Sequence, residues 1–403
     1  VQNWFKATIT GGKITGQLWT DSYVAGESVG ETTIGGNAEF NGEIVIDITG
    51  NIAPALRITG GTLNITNMSI TTAAAAAGAK PAVSGGVFNI EVKKEWCVEG
   101  FAPKALAGGT YGVEQLVKLE ATEGVLGESV KFYILTNRYN GLKFRVRITL
   151  NSEEVIYNGV DYEKNGTEYY AYILDLPPQY LDADLKIELI NNSDEAIQTV
   201  NYSFLKYCEA ILNPDANANT DANAKQLVAD LLWYSVAAKN KCKLESTTLT
   251  AKLGELGLVQ STGEIKATVT KSHTKAGEES YISGATLYHD SMNRIIILVD
   301  SGLYENTKGN HTYTYKKGNG AAQELVKIGE LVTDGPTYVM LATEGIYANE
   351  FDTAYTIEVT FNGEVVETLV YSVNNYCETK AAENELAKAL YYYGVSAAAY
   401  KHS

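Results

Sequence analysis

Long apolar runs, cysteine and basic charge are scarce in this sequence, and each scarcity excludes a class of protein. No stretch of about 18 apolar residues occurs, so no segment is a candidate for a membrane-spanning helix. Basic residues number 32 against 48 acidic ones, which gives a formal net charge of −16. Because such a chain is repelled by a phosphate backbone and by anionic lipid, we expect no nucleic acid partner and no membrane insertion.

The N-terminus shows no signal segment, and the cysteines show no common metal-binding or redox motif. The chain begins Val1-Gln2-Asn3-Trp4, without an initiator methionine or a basic and then apolar signal segment. We expect a mature or trimmed start within a longer precursor. The cysteines form no CxxC pair, which argues against a zinc ribbon and against thioredoxin-type chemistry. They are Cys97, Cys208, Cys242 and Cys377.

The residues that are abundant favour β-structure. At 403 residues the chain is long enough for two or three domains, each with its own core. It is 45% hydrophobic and 20% charged, and it contains 37 glycines and 27 tyrosines. This balance is typical of a folded, turn-rich β-protein, so we predict a mainly β fold rather than disorder.

Paired glycines recur through the first quarter of the chain at nearly constant spacing. The pairs begin at Gly11, Gly35, Gly60, Gly85 and Gly108, which are separated by 24, 25, 25 and 23 residues. A fixed period of this length is the mark of a solenoid. Short runs of alternating apolar and polar residues flank the pairs, which indicates strands that meet at glycine corners.

The repeat predicts a parallel β-helix of about four coils over residues 1–118. One coil cannot bury its apolar face alone, so the coils must stack. We expect an internal column of Ile9, Ile34, Ile58 and Val83. The alanine run at residues 73–77 is predicted to be a loop projecting from the third coil, with one helical turn as the alternative.

From about residue 125 the sequence pattern changes. Longer strand-like segments rich in tyrosine, valine and isoleucine appear there, and helical patterns follow them. This change predicts a β-sandwich with a helical tail. The segment at 199–209 (TVNYSFLKYCE) matches the segment at 368–378 (TLVYSVNNYCE) at an offset of 169. The pattern at 227–238 matches that at 386–397 at an offset of 159. The module is therefore present twice, in residues 119–243 and 244–403, with a ten-residue insertion in copy one.

Each tail is predicted to hold two helices. Ser203 and Ser372 can cap a first short helix, and a second helix of three to four turns follows. Its apolar stripe in copy one is expected to pack on the sandwich; the stripe is Leu227, Leu231, Tyr234 and Ala238. Cys208 and Cys377 occupy equivalent positions, which favours two buried helix cysteines over a disulfide.

Both halves of the pattern resemble secreted surface proteins of gut Clostridia and related Firmicutes. The coil at residues 58–65 (ITGGTLNI) is similar to the GGT-type coils of bacterial surface β-helices. The strand, the YSxxxYC phrase and the two helices resemble modules repeated in such proteins without assigned catalysis. The resemblance covers both parts of the chain, and it implies an extracellular location and a modular build rather than a chemistry.

The insertion of copy one places oxygen-bearing side chains at alternate positions between two helices. Asp215, Asn217, Asn219 and Asp221 have the spacing of a calcium loop, with Asn223 following them. Thr220 stands at the glycine position of such a loop, and Gln226 stands at its bidentate acidic position. An Asx-rich linker that caps the next helix is the alternative interpretation, and it needs no cofactor.

The carboxylates near the coils are candidates for an acid and base pair, because some solenoids carry polysaccharide-cleaving sites. They are Asp21, Glu27, Glu39, Glu43 and Asp47. Between residues 1 and 51 the basic residues are Lys6 and Lys13 alone, so we expect a solvated acidic face instead. The histidines show no HExxH or HxH spacing and no triad phrase. They are His273, His289, His311 and His402.

These patterns favour a non-catalytic, structural or adhesive protein of a bacterial surface. An uncapped first coil would offer unpaired strand edges to another coil, so we expect partners among copies of the chain or other surface proteins. A carbohydrate-binding module is the first alternative, with residues 391–393 and Tyr313 and Tyr315 as candidate stacking faces. A β-helix enzyme that degrades polysaccharide is the second alternative.

Overall fold

A computed structural model shows a mainly β chain whose longest helices, Ala222–Lys241 and Glu385–Lys401, each follow a group of strands. It describes residues 1–22, 29–50, 52–126, 130–139, 142, 144–212, 222–289 and 292–401. The predicted fold class is confirmed: an N-terminal solenoid is followed by β-sheets and by C-terminal helices. Within the described ranges no helix is long and apolar enough to cross a membrane.

The strands and helices are numbered along the chain. The strands are β1 (Gln2–Asn3), β2 (Lys6–Ile9), β3 (Lys13–Ser22), β4 (Glu31–Ile34), β5 (Glu39–Ile48), β6 (Ala55–Ile70), β7 (Pro81–Phe88), β8 (Phe101–Ala105), β9 (Tyr111–Gln115), β10 (Leu119–Leu126), β11 (Val130–Asn137), β12 (Arg145–Leu150), β13 (Glu153–Asn158), β14 (Val160–Lys164), β15 (Thr167–Leu176), β16 (Leu185–Ile190), β17 (Ala196–Tyr202), β18 (Ser272–Lys275), β19 (Gly284–His289), β20 (Asn293–Asp300), β21 (His311–Lys317), β22 (Gln323–Glu324), β23 (Val326–Val332), β24 (Thr337–Ala342), β25 (Tyr355–Phe361) and β26 (Glu364–Tyr371). The helices are α1 (Thr72–Ala76), α2 (Phe204–Leu212), α3 (Ala222–Lys241), α4 (Thr247–Glu255), α5 (Ser301–Thr307), α6 (Val373–Lys380) and α7 (Glu385–Lys401).

The solenoid makes about three turns, where the glycine pairs predicted four coils. Its strands stack in parallel: β3 pairs with β5, β5 with β6, and β6 with β7. The predicted internal column is confirmed, because Ile9 is in register with Ile34, Ile34 with Ile58, and Ile58 with Val83. The last three side chains are buried and Ile9 packs against them.

The alanine run is helical rather than a loop. Helix α1 spans Thr72–Ala76, and the Thr71 hydroxyl accepts a hydrogen bond from the Ala74 amide at its N-terminus. Alanine is the best helix former, and a threonine cap satisfies one of the free amides of the first turn. These two local effects favour a helical turn over the loop that was expected between two strands. Ala74 is fully buried in this turn.

The C-terminal end of the solenoid is covered by the residues that follow it. Strand β7 pairs with β9 in the antiparallel sense at Phe88 and Tyr111, and β9 pairs with β8. Trp96 is buried against the solenoid core. Gly100, in the segment that follows, packs closely against Phe144 of the first module: a Cβ added to Gly100 would lie 2.7 Å from the Phe144 ring. The last coil is therefore closed.

The two modules have the same sheet order. In the first, one sheet runs β10-β11-β15-β14 and the other runs β13-β12-β16-β17. In the second, one sheet runs β19-β20-β24-β23 and the other runs β22-β21-β25-β26, with β18 added at its edge. The duplication read from the offset of 169 therefore extends over whole sheets, far beyond the matching segments.

The helical tails follow the predicted pattern up to the packing of the long helices. The Ser372 hydroxyl accepts from the Asn375 amide in a capping box at the start of α6, and the Ser203 hydroxyl accepts from the Lys206 amide in α2. The stripe of α3 is buried, but the expectation that it packs on the sandwich was wrong in part. Helix α3 packs mainly against α7, with Tyr234 facing Tyr393.

The chain consists of two compact units, each assembled from three separate segments. The first comprises Val1–Ala121, Leu135–Tyr172 and Lys186–Val200, and the second comprises Thr122–Ile134, Ile173–Leu185 and Asn201–Ser403. The first unit contains the solenoid. The second contains the helices α2 to α7. The division into three domains predicted at residues 118 and 243 stays a prediction.

Candidate functional site

The open first coil is the feature of the solenoid that differs from the other coils. It consists of β2 and of the Lys13–Leu18 part of β3. Among the described strands, β2 pairs only with β4, and β3 pairs with β5 on one side and with the two-residue β1 on the other. Strand β1 lies beside Trp19 and Thr20, so it leaves the preceding part of β3 uncovered. An uncovered strand edge is a template for another strand.

The free main-chain groups of the open first coil can be assigned to particular residues. The Trp19 amide donates to the Val1 carbonyl at 2.7 Å, and the Val1 ammonium donates to the Gln17 carbonyl at 2.6 Å. Main-chain groups alternate sides along a strand that is paired on both sides. The amides and carbonyls of Lys13 and Thr15 and the amide of Gln17 therefore point away from β5, toward the uncovered side.

The side chains of the open first coil carry positive charge, although the chain as a whole is acidic. The Lys6 ammonium lies 4.0 Å from the Glu31 carboxylate, and the Lys13 ammonium lies 3.7 Å from the Glu39 carboxylate, each on the next coil. The Gln17 amide donates to Glu43 at 2.6 Å. Lysines on the first coil thus stand in register with glutamates on the second.

Apolar residues lie exposed beside these lysines. Val1 is 72% exposed and Phe5 is 68% exposed, in contrast to the fully buried apolar side chains of the inner coils. Trp4 is partly exposed, and its indole donates to the Asp21 carboxylate at 3.3 Å. The open first coil therefore combines free main-chain groups, two lysines and uncovered apolar surface.

The carboxylates considered as an acid and base pair serve the solenoid corners instead. Asp21 is buried, so the expectation of a solvated acidic face was wrong for this residue. Its carboxylate accepts from the Thr49 amide and hydroxyl at 3.0 Å. Asp47, in register with Asp21 on the next coil, accepts from the Thr71 hydroxyl at 2.7 Å. The buried Asp21 carboxylate needs such donors, and each of the two carboxylates ties its coil to the following turn.

The other acidic residues of that group do not complete a pair. Glu39 is exposed and Glu43 is half-buried, and their contacts are the lysine and glutamine of the open first coil together with Asn67. Glu27 lies outside the described residues. Asp21, Glu39, Glu43 and Asp47 thus do not form two opposed groups in a cleft, which is what glycoside hydrolysis requires.

The tyrosines offered as sugar-stacking faces are buried. Tyr391, Tyr392 and Tyr393 are all inside the helical tail, and the hydroxyl of Tyr392 donates to the Gly263 carbonyl at 2.8 Å. Tyr313 and Tyr315 are buried in the second module. Sugar stacking needs an exposed ring face, so these five residues cannot supply it in this conformation.

Sequence patterns did not reveal a buried carboxylate in the second module. Glu367 on β26 is 1% exposed and accepts from the amides of Tyr281 at 2.6 Å and Ile282 at 3.0 Å. Its other oxygen contacts the Ser280 hydroxyl at 2.7 Å and the imidazole of His273 at 2.6 Å. Both the serine and the histidine contact the carboxylate, so this is not the serine-histidine-aspartate order of a hydrolase.

The first module explains the role of this carboxylate. Gln198 is the residue equivalent to Glu367 at the offset of 169. Its carbonyl oxygen accepts from the Leu119 amide at 2.9 Å and from the Gln115 side chain at 3.1 Å. In both copies, therefore, this position holds the chain segment that enters the first strand of the module. A neutral amide suffices in copy one, which indicates a structural clamp rather than a catalytic acid.

The cysteines are free, and the two in the repeat are buried as predicted. Burial raises the pKa of the Cys377 thiol to about 12 and raises the pKa of the Cys208 thiol as well. Reactive cysteines need a stabilised thiolate, so neither residue has the environment of a nucleophile. They act as small apolar side chains in α2 and α6.

The candidate calcium residues Asp215, Asn217, Asn219 and Asp221 lie outside the described residues. Elsewhere, within the ranges that the structure describes, no three acidic, histidine or cysteine side chains are grouped so that they could hold a metal ion. The calcium loop therefore stays a prediction from sequence.

A cavity of about 650 Å³ lies where the two modules have diverged. Its walls are mainly apolar and come from α2, α3 and α7, with Tyr207, Leu227 and Tyr400 among them. At the equivalent position of copy two, Tyr376 and Leu386 are retained. Three charged residues also line that position: Lys241, Lys380 and Glu383 match Tyr400, Ile211 and Ala224 of the first cavity.

Comparison of the chain with protein-family models found no match, and neither did comparison with curated proteins.

Proposed function

We propose that this chain is a non-catalytic structural subunit of an extracellular assembly on a bacterial surface. Its first coil presents an uncovered strand edge on which a further coil stacks, and the two modules act as spacers. Other copies of the chain or other surface proteins are the partners. The main chain provides most of the recognition, as it does wherever an extended strand adds to a sheet edge.

The uncovered edge of β3 is the observation that carries the proposal. Natural solenoids and sheets cover, shorten or charge such edges, because an open edge otherwise recruits another strand. The other end of this solenoid is closed by β8, β9 and Trp96. Among the described residues, the first coil thus has an uncovered strand edge and the last coil does not.

The roles found for the polar residues support a structural function. Asp21 and Asp47 bind the turns that follow their coils, and Glu367 clamps the entry of the second module. Each carboxylate is already engaged by donors of the fold. Catalytic carboxylates, in contrast, must face a substrate with a proton to give or take.

Association of the full chain is the test. We expect sedimentation velocity to show species larger than the monomer as concentration rises, and electron microscopy to show contacts at the solenoid end. Thr15→Pro should abolish them, because it removes an amide that points to the uncovered side and leaves the β3–β5 pairing intact. Thr15→Val, which keeps the amide, is the matched control.

Three results would count against the proposal. A chain that stays monomeric at all concentrations and binds no strand would remove it. Binding to a polysaccharide array would favour the carbohydrate-binding alternative, and release of new reducing ends from a polysaccharide would favour the enzyme.

A further inference from the structure

We infer that the cavity of about 650 Å³ between α2, α3 and α7 binds a small apolar molecule that is neutral or positively charged. The described lining residues all belong to the second compact unit. None of them belongs to the solenoid, whose strand edge carries the proposed function. The site and the proposed function can therefore be tested separately.

The cavity has the size and the walls of a small-molecule site. Pockets of about 300–1,000 Å³ with mainly apolar walls are typical of sites for drug-sized ligands. Leu227 and Leu231 are buried and form the inner wall, whereas Tyr347 and Tyr400 are exposed and stand at the opening. Water inside apolar walls finds few hydrogen-bond partners, so an apolar ligand that replaces it is stabilised by leaving bulk water.

The charge of the walls selects against an anion. Among the described lining residues, Glu123 on β10 is the only one that is charged at neutral pH. Burial raises the pKa of the Cys208 thiol, so that side chain stays neutral. A carboxylate in a chain of net charge −16 repels an anionic ligand and attracts a cation, and tyrosine rings add cation–π attraction. An apolar anion such as a fatty acid is therefore disfavoured.

The equivalent position of copy two shows that the fold does not require apolar walls here. Lys380 and Glu383 line that position where copy one has Ile211 and Ala224. Helices α6 and α7 nevertheless follow the last strands of their module as α2 and α3 follow theirs. A fold that tolerates charged side chains at this position has no structural need for apolar ones, so we attribute the apolar walls of copy one to a ligand.

The segment that joins α2 to α3 has a sequence that does not suit the cavity. Residues 213–221 read NPDANANTD and lie outside the described residues. Their apolar side chains are those of Pro214, Ala216 and Ala218, which are too small to fill a space of this size. The other six residues are polar and would need hydrogen-bond partners inside apolar walls. A separate molecule is therefore the occupant that the walls favour.

Two dyes with one aromatic scaffold test the ligand and its charge. N-phenyl-1-naphthylamine is neutral, and 8-anilino-1-naphthalenesulfonate carries a sulfonate on the same scaffold. We expect the fluorescence of the neutral dye to show saturable binding to the full chain. The anionic dye should bind at least about 5-fold more weakly, because its sulfonate is repelled by Glu123.

Removal of the carboxylate tests the role of Glu123. Glu123→Gln should reduce the difference between the two dyes to about 2-fold or less and leave binding of the neutral dye unchanged. Glu120→Gln removes an exposed charge from the same strand, outside the described lining residues, and is the matched control. It should leave the difference between the dyes as it is in the wild type.

Substitutions in α2 and α3 locate the site. Ile211→Lys combined with Ala224→Glu introduces the residue types of copy two and should weaken binding of the neutral dye at least about 10-fold, because the dye would have to desolvate charged groups. Ala224→Trp fills the cavity and should have the same effect. Ala222→Trp, at an exposed position of the same helix, is the control and should leave binding unchanged. Far-ultraviolet circular dichroism verifies that each variant is folded.

Four results would overturn the inference. They are the absence of saturable binding by the neutral dye, equal binding of the two dyes, and unchanged binding in folded forms of both cavity variants. The fourth is binding that appears only after residues 213–221 are replaced by the sequence of residues 381–384, because the joining segment would then be the occupant. In each case the proposed function would stand, since sedimentation velocity measures association of the chain independently.

Discussion

Tyr234 on α3 and Tyr393 on α7 stack with their ring centroids 5.7 Å apart and their planes at 9°. The two residues occupy the same position of the duplicated module, because they are separated by the offset of 159. The copies thus meet through equivalent residues, as subunits do in an isologous dimer, although here one chain supplies both. Burial raises the pKa of both phenols, so both remain neutral and apolar at the contact.

This stack should be measurable as a coupling between the copies. Tyr234→Leu and Tyr393→Leu should each destabilise the helical tail, and the double variant should lose less than the sum by about 0.5–1.5 kcal/mol. Urea unfolding followed by helical circular dichroism measures it, since most of the helix lies in the tails. Tyr288→Leu, at an exposed tyrosine, is the control. Strict additivity would show that the rings do not interact.

Position 367 in the second module should tolerate an amide side chain, as the equivalent position 198 does in the first module. Glu367→Gln keeps an oxygen for the amides of Tyr281 and Ile282, so we expect a loss of at most about 1 kcal/mol. Glu367→Leu leaves both amides buried without a partner, at about 1–3 kcal/mol each. Thermal unfolding distinguishes them. Equal losses of stability in the two variants would mean that the shape of the side chain, and not its hydrogen bonding, determines stability at this position.

Two glycines should respond oppositely to the same substitution. Gly85→Val must displace the Thr59 main chain of the previous coil, so we expect a loss of at least about 1–3 kcal/mol. Gly11→Val meets open space in the isolated chain and should change stability by less than about 0.5 kcal/mol. The melting temperature of the solenoid, read from its tryptophan fluorescence, checks both. A large loss in Gly11→Val would show that the first coil is already covered.

The acid stability of the first module should depend on Glu188. Hydrogen bonding from Lys186, assisted by Arg147, lowers the pKa of this buried carboxyl below its ordinary value. A lowered folded pKa stabilises the native state at pH values above the unfolded pKa of about 4.3. This stabilisation disappears as pH falls through the lowered folded pKa.

Comparison with Glu188→Gln isolates that effect. The wild type should be the more stable protein above about pH 5, and the difference should shrink as the solution is acidified. Unfolding free energies measured across this pH range check it. A difference that is the same at every pH would mean that the charge of Glu188 contributes nothing.

Calcium binding by the insertion of copy one can be tested by titrating the intact chain with calcium. Thr220 and Gln226 depart from the pattern of a calcium loop, so we expect the melting temperature to be the same with calcium and with a chelator. Isothermal calorimetry gives an independent reading. Heat of binding that is lost in Asp215→Ala and in Asp221→Ala would overturn this expectation and assign the insertion as a cofactor site.

Local repetition accounts for what sequence reasoning predicted of the fold. The glycine pairs recur because every coil meets its neighbour at the same corner, so their spacing predicted the parallel stack and the column through Ile34, Ile58 and Val83. The number of turns was overestimated because the last pair, at Gly108, lies in the antiparallel cap and not in a coil.

The remaining features depend on partners that are far apart in the chain. Asp21 is buried because Thr49 and Trp4 donate to it from 28 and 17 residues away. Glu367 and Gln198 are recognisable as clamps only once the segments they hold are placed beside them. The contact of α3 with α7 rather than with a sheet arises from competition between two apolar faces, which a hydrophobic stripe by itself does not resolve.

The sequence by itself determined which units are repeated, because periodicity and capping act over a few residues. Only the tertiary structure decided which surfaces those units leave uncovered, because burial depends on every segment that folds back onto a residue. The open space beside Gly11 and Gly16 is an example: no described atom lies within 4 Å of a Cβ built on either glycine, and only the folded coordinates reveal this.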